Sequence, residues 1–213
     1  DAVEELAGKP AWRGAIREAL REIQDLERIL GRIGLQAATA RDLGGLGASL
    51  GALPALGEKL REAGSAGLGQ LAAEWDSLEE LARELRAALV DDPPATIREG
   101  GMFREGVDPE LDRLRRAARE GKSWLSSYEA SERGRTGLPV KVGFNKVFGF
   151  YLELSKRHSD QAPIEYTRKQ TLVSAERYIT PELKKIEEEV LGAEAKARDL
   201  EFLMFGRLRA RAG

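Results

Sequence analysis

Residues 138–178 read as a small basic β-unit, with one coiled-coil heptad helix running into it and another running out. Few folds admit that order. Upstream, Leu111, Leu114, Ala118, Gly121, Leu125 and Tyr128 recur at alternating steps of three and four. Downstream, Leu183, Ile186, Val190, Ala193, Ala197, Leu200 and Met204 do the same. Such spacing keeps one seam of a helix against a neighbour. Each helix opens on the same grammar, Asp108-Pro109-Glu110 and Thr180-Pro181-Glu182: an N-cap, proline at the first helical position and an acid in the first turn. The expected fold is mainly α, with two long antiparallel coiled-coil-like helices carrying a small antiparallel β insertion at the tip. A helix of about 30 residues is about 45 Å long, which would hold that tip well away from a helical body.

The net charge of the 213-residue chain is −2, so nothing global points to nucleic acid. Its distribution says more. Residues 133–177 hold nine basic side chains (Arg133, Arg135, Lys141, Lys146, Lys156, Arg157, Arg168, Lys169 and Arg177) and four acidic ones (Glu153, Asp160, Glu165 and Glu176), a local +5 against −7 elsewhere. Segregation of this kind suits an anionic partner at one end of the molecule. A solvated lysine-rich sheet surface accounts for it equally well. There is no cysteine and a single histidine, His158. Disulfides, thiolate metal sites and histidine-based triads are therefore excluded, and a cytoplasmic location is favoured. No apolar run approaches the roughly 20 residues that span a bilayer. The chain opens at Asp1 on residues that already look helical, so it reads as a piece of something longer.

Residues 1–92 read as helices. Trp12, Ile16, Leu20, Ile23, Leu26, Leu30 and Ile33 keep an apolar stripe through 13–34, and Leu71, Trp75, Leu78, Leu81, Leu85 and Leu89 mark a second long amphipathic helix. Residues 41–57 have helical leucine spacing, but Gly44, Gly45, Gly47 and Gly51 fall among the leucines, each costing about 1 kcal/mol relative to alanine, so a helix there needs tertiary support. Pro54 should bend or end it. Residues 97–106 look like a looped link, and the incoming arm helix should run to about Ser131. Strand alternation follows: Val140, Val142 and Phe144 on one face, then Phe148, Phe150, Leu152 and Leu154, with Tyr151 and Glu153 opposite. Asn145-Lys146 lies near the bend of a hairpin, and Gly143 and Gly149 suggest bulges or close approach. A third strand is expected near 166–172.

Catalytic motifs fail one by one. Gly121-Lys122-Ser123 resembles the end of a phosphate-binding loop, but Arg116 stands where the pattern needs glycine and a heptad helix stands where it needs a strand. A tight helix contact at Gly121 with Lys122 in solvent explains it better. Carboxylates such as Glu187-Glu188-Glu189 fall on helix faces beside lysines and arginines and read as solvated. No nucleophile–base pair or metal spacing emerges. The tip remains, where Lys141, Asn145, Lys146, Arg168, Lys169, Gln170 and Thr171 offer donors suited to a phosphate backbone. No helix there is shaped for major-groove reading. Phe144, Phe148 and Phe150 could stack on bases, but their alternation favours sheet core.

The run Lys141-Val-Gly-Phe-Asn-Lys-Val-Phe-Gly-Phe-Tyr-Leu-Glu153 resembles the clamp segment of MutS DNA mismatch-repair proteins, as does Tyr166-Thr-Arg-Lys-Gln-Thr-Leu-Val-Ser-Ala-Glu-Arg-Tyr-Ile-Thr-Pro-Glu-Leu183. Asp25-Leu-Glu-Arg-Ile-Leu-Gly-Arg-Ile33, Arg41-Asp-Leu43 and Asp108-Pro-Glu-Leu-Asp-Arg-Leu114 resemble the helical core, or lever, of the same family. The resemblance divides the chain into a first lever part at 1–108, the clamp arm and β tip at 109–181, and a returning lever helix at 182–213. It implies dimers that close around duplex DNA, with lever helices joining a clamp to a distant ATPase that carries ATP and magnesium. Lys141, Asn145, Lys146, Arg168, Lys169 and Ser174 would then contact phosphates, while Arg177 pairs within the sheet. No cofactor, metal, small-molecule substrate, membrane or enzymatic activity is expected of this stretch, because the ATP-binding loop is absent. The family's mismatch-reading Phe-x-Glu role does not transfer to Phe103-Arg104-Glu105, which sits in the link. The alternatives are a helical protein-interaction module and the clamp of a recombination-dedicated relative.

Overall fold

The computed structural model describes the backbone of residues 1–213 and every side chain except that of Lys122, so the solvated position expected for Lys122 lies outside the described residues. The chain forms two compact units, Asp1–Val107 with Arg198–Gly213, and Asp108–Ala197.

The first unit is helical: α1 (Ala2–Gly8), α2 (Pro10–Arg21), α3 (Leu26–Gly34), α4 (Ala40–Leu60), α5 (Ala66–Ala73), α6 (Glu79–Ala88) and the C-terminal part of α8 (Pro181–Ala212). Helix α4 packs against α2, α3, α5 and α6. It continues through Pro54 to Leu60, so the proline does not end it. Its glycines supply the tertiary support the sequence demanded. A Cβ on Gly47 would stand 2.9 Å from that of Leu85, and one on Gly57 would stand 2.6 Å from the Trp75 indole nitrogen. Backbone approach at that range buries Leu43, Leu46, Leu50 and Leu56 and offsets the propensity cost.

Both long stripes expected in this unit are broken. Asp25 caps α3 by accepting from Arg28 N at 2.9 Å, and Gln24 N donates to the buried Ser49 hydroxyl at 3.0 Å, so the chain turns between α2 and α3. Between α5 and α6, Asp76 accepts from Leu78 N at 2.9 Å while Leu78 adopts φ 48° and stays exposed. In both places a local hydrogen bond from backbone to an aspartate side chain, capping α3 at Asp25 and turning the chain at Asp76, won over apolar periodicity. The link at 97–106 is a loop, as expected. Its end is pinned by a bridge between Leu89 and Phe103 and by Glu201, which accepts from Gly101 N and Met102 N at 2.9 and 2.7 Å. Phe103 is buried.

In the second unit, α7 (Pro109–Thr136) and α8 flank a four-stranded antiparallel sheet of order β1-β2-β4-β3: β1 (Lys141–Asn145), β2 (Gly149–Ser155), β3 (Thr167–Thr171) and β4 (Ala175–Ile179). Mainly helical architecture with a small antiparallel insertion is what the heptads and the alternation predicted. Asp108 caps α7 through Leu111 N at 2.8 Å, and Thr180 caps α8 through Leu183 N at 3.1 Å. Tyr128 meets Thr180 at 2.7 Å, and Gly121 lies against Val190, so the two helices run antiparallel. A Cβ on Gly121 would fall 2.1 Å from Val190 Cγ2, confirming the tight contact there. Helix α7 extends five residues beyond Ser131 to Thr136, where Gly137 at φ 68° closes it. The downstream seam holds through Ala197, then shifts register. Glu201, Phe205 and Leu208 are buried in place of Leu200 and Met204.

Glycine positions on α4 give a paired test. Gly44 has no atom within 4 Å of its would-be Cβ, so Gly44→Ala should stabilise the chain by about 0.5–1 kcal/mol through helix propensity. Gly47→Ala should destabilise it by about 1–3 kcal/mol through overpacking against Leu85. Urea unfolding of the two variants checks the sign of each; equal stabilisation would mean α4 and α6 are not in close contact.

Candidate nucleic-acid interface

One face of the sheet is core. Val140, Leu152, Leu154, Tyr166 and Tyr178 are buried with Leu138 and Leu183, and Val142 and Phe150 pack against them. Each such aliphatic side chain contributes about 1.5–3 kcal/mol on burial. The other face carries Lys141, Tyr151, Glu153 and Arg177, brought side by side by the pairings Lys141↔Glu153 and Glu153↔Arg177. Phe148 departs from its expected face. Gly149 at φ 81° ends the hairpin turn and resets the alternation, so Phe148 meets Tyr151 at 5.7 Å between ring centroids. Phe144 pairs with Phe150 at 5.1 Å but stays half exposed.

The sheet divides its basic residues into two classes. Most arginines are consumed internally. Arg133 pairs with Glu129 at 2.8 Å and donates to Val140 O, and Arg135 bridges Glu132 and Glu165 at 2.8 and 2.7 Å. Arg168 pairs with Glu176 at 3.2 Å. Arg177 pairs with Glu153 at 2.9 Å while lying 4.3 Å from the centroid of the Tyr151 ring. Lys141, Lys146, Arg157 and Lys169 are exposed and have no ion-pair partner among the described residues. Lys156, also exposed, lies near enough to Glu176 to lower that group's pKa.

The six residues singled out from sequence do not converge on one point. Asn145 ends β1 and Lys146 opens the β1–β2 turn, where Asn145 Oδ1 accepts from Val147 N at 2.7 Å. Ser174 sits in the β3–β4 turn at the opposite end, with its carbonyl accepting from Lys156 N at 3.0 Å. Along β2 (Gly149–Ser155) the two ends are about 20 Å apart at 3.4 Å per residue. Lys141 starts edge strand β1. Lys169 occupies a register shift on the other edge, β3, and Arg168 beside it is tied to Glu176. Lys156 and Arg157 join Ser174 at its end of the sheet. Sequence reasoning counted them as charge but assigned them no contact, because only the fold brings Ser155 opposite Ala175.

Acids from the two helices hold this sheet. Glu129 on α7 accepts from Val142 N at 2.7 Å, and Glu187 on α8 accepts from Phe150 N at 2.7 Å. Glu187 is buried, which corrects the solvated reading of the 187–189 run. Glu132 is held below the usual carboxylate range, first by hydrogen bonds from Arg135 and then by the Tyr166 hydroxyl. Glu176 is lowered first by the hydrogen bond from Tyr178 and then by Arg168. Burial, followed by those same hydrogen bonds, pushes the Tyr178 phenol up to about 12 and raises Tyr166 as well.

Comparison with known proteins now bears on this geometry. Residues 106–196 match MutS family domain IV. The chain is 47% identical over 210 residues to the DNA mismatch repair protein MutS of Halothermothrix orenii, covering 98% of this chain and 23% of that protein. It is 44% identical over 212 residues to the protein of the same name from Symbiobacterium thermophilum (99% and 24%), and 44% identical over 210 residues to that of Methanosarcina mazei (96% and 23%). This chain belongs to the MutS family. It spans about a quarter of the length of the MutS relatives it matches. The MutS domain IV match covers nearly all of the second unit, including the whole sheet. No helix is long and apolar enough to cross a membrane, and the described residues contain no cluster of acids and histidine able to hold a metal.

The paired acids and phenols set a pH window. Glu132 and Glu176 have native pKa values below the ordinary 4.5, so the stability they contribute is complete above about pH 4.5 and is lost as pH falls through their lowered values. Tyr178, raised from 10.0 to about 12, contributes stability that is complete below pH 10 and is lost as pH rises towards 12. Urea unfolding across pH should therefore show a plateau between these limits. Tyr166→Phe should cost about 1.5–3 kcal/mol on that plateau, as expected for a hydrogen bond to a charged group. Equal stability at pH 3 and pH 7 would contradict the assignment.

Proposed function

We propose that the second unit grips duplex DNA by its sugar-phosphate backbone, without reading sequence, as the clamp of a mismatch-repair MutS protein. The supporting observation is the division of the basic residues. Internal acids neutralise Arg133, Arg135, Arg168 and Arg177, yet leave Lys141, Lys146, Arg157 and Lys169 exposed at the edges and ends of one sheet. Cations without internal partners can neutralise phosphates and release condensed counterions. Lys156, Asn145 and Ser174 add donors at the two ends. Arg168 contributes less than its exposure suggests, since Glu176 already holds it. The candidate contacts come from strands, turns and the single 3-10 turn Lys156–Gln161, with no α-helix among them, so contacts fall on the backbone and base edges go unread.

In the whole protein, α8 would act as the lever that links this sheet to an ATPase holding ATP and magnesium, within a dimer that encloses DNA. Such a link would be a coupling between two sites through one rigid element. The family match and the names of the relatives support this wider reading. A second reading, a protein-docking module, rests on the groove of about 670 Å³ between α7 and α8, lined by Ala117, Gly121, Trp124, Ile186 and Gly192.

A salt titration separates the two readings. About five phosphate contacts predict a slope of log K against log salt near roughly −4 to −5. The double variant Lys146→Glu with Lys169→Glu should weaken binding to all duplex sequences alike and flatten the slope by about 2. Unchanged affinity in that variant would overturn the clamp reading.

A further inference from the structure

The acid that holds the β1–β2 hairpin is built into the sheet in an unusual way. Glu187 on α8 is only 8% exposed. Its Oε2 accepts from Phe150 N at 2.7 Å and its Oε1 takes Lys184 Nζ at 2.9 Å. The carboxylate occupies the space a side chain at residue 149 would fill: a Cβ there would fall 1.8 Å from Oε2. Gly149 also has φ 81°, which L side chains rarely adopt. Two requirements, space for the acid and a left-handed turn, thus fall on one glycine. Strand β4 ends at Ile179 and leaves Phe150 without a strand neighbour on that side, since its last pairing with β2 is Leu152↔Tyr178. The Phe150 N–H would be orphaned without Glu187, and an unpaired donor that is partly shielded from water is costly.

We infer that Glu187 is a positioning residue for DNA contact: it fixes where the β1–β2 hairpin presents Asn145 and Lys146. The inference rests on the clamp reading. From Phe150 the chain runs back through Gly149, Phe148 and Val147 to Lys146, and the turn is itself pinned by the Asn145 side chain on Val147 N. The other carboxylate tether, Glu129 to Val142 N, lies farther along β1 from the turn. Glu187 is therefore the carboxylate tether nearest the turn, and it ties the hairpin to α8.

Charge and position make opposite predictions, which gives a clean test. Deleting an acid beside a phosphate-binding tip should tighten DNA binding by charge alone. Glu187→Gln removes the charge but keeps an oxygen that can accept from Phe150 N. Glu187→Asp keeps the charge but is one methylene too short to reach. Each variant of the 213-residue chain is titrated with a 20-base-pair duplex over a range of salt, at a temperature where circular dichroism shows it folded. Lys146→Ala should flatten the slope by about 0.9 and weaken binding about fivefold at 0.15 M salt, the effect of one lost counterion. Glu187→Asp should flatten the slope by at least as much, and Lys146→Ala should then add nothing. Glu187→Gln should bind as tightly as the parent or more so. If Glu187→Asp lowers the melting temperature but retains the parental slope, the residue is purely structural and the inference falls. If Lys146→Ala itself leaves the slope unchanged, the contact at the hairpin falls first and the inference with it.

Discussion

Two glutamates, one from each long helix, accept backbone N–H groups that the sheet leaves without strand partners, and the rest of the second unit depends on that. A four-stranded sheet this small cannot satisfy its own edges. Glu129 reaches Val142 on edge strand β1, and Glu187 reaches Phe150 where β4 has already ended. Burying a carboxylate is expensive unless its oxygens are taken. Here each tethering acid also has a cation, Arg133 for Glu129 and Lys184 for Glu187. The sheet is thereby fastened to both helices by polar contacts, and the apolar cluster around Leu152, Leu154 and Tyr178 fills the space between.

This fastening explains how the charge is distributed. Arginine's planar fork suits carboxylates, and Arg133, Arg135, Arg168 and Arg177 are spent on Glu129, Glu132, Glu176 and Glu153. What remains for an outside partner is mostly lysine. The local +5 seen in sequence is real, but its chemistry differs from a simple count. The arginines build the sheet, and Lys141, Lys146, Lys156 and Lys169, with Arg157, supply the surface charge. Flexible lysines suit a grip on phosphates that tolerates any base sequence.

Much of the fold was legible. Heptads, caps and strand alternation are local signals, and they gave α7, α8, the β1–β2 hairpin and the tight contact at Gly121. The sequence reading stopped short where one residue overrode a pattern. Asp25 and Asp76 cut two apolar stripes, Gly149 moved Phe148 to the other face, and the seam of α8 changed register after Ala197. The fourth strand was hidden because Ala175–Ile179 carries Glu176 and Arg177, which find their partners, Arg168 and Glu153, only on neighbouring strands. The candidate interface was half legible. Residue types pointed to phosphate, but the spread of Lys146 and Ser174 to opposite ends, and the loss of Arg168 to Glu176, follow from strand order that no spacing reveals.

Lysine footprinting by mass spectrometry, with and without a duplex, tests the central claim most directly. Brief acetylation should mark Lys9, Lys141, Lys146, Lys156, Lys169 and Lys196 in the free chain, since all are exposed. Duplex DNA should protect Lys141, Lys146, Lys156 and Lys169, leave Lys9 and Lys196 unchanged, and lose its effect at high salt. Protection spread evenly over all six, or confined to Lys9 and Lys196, would contradict the account.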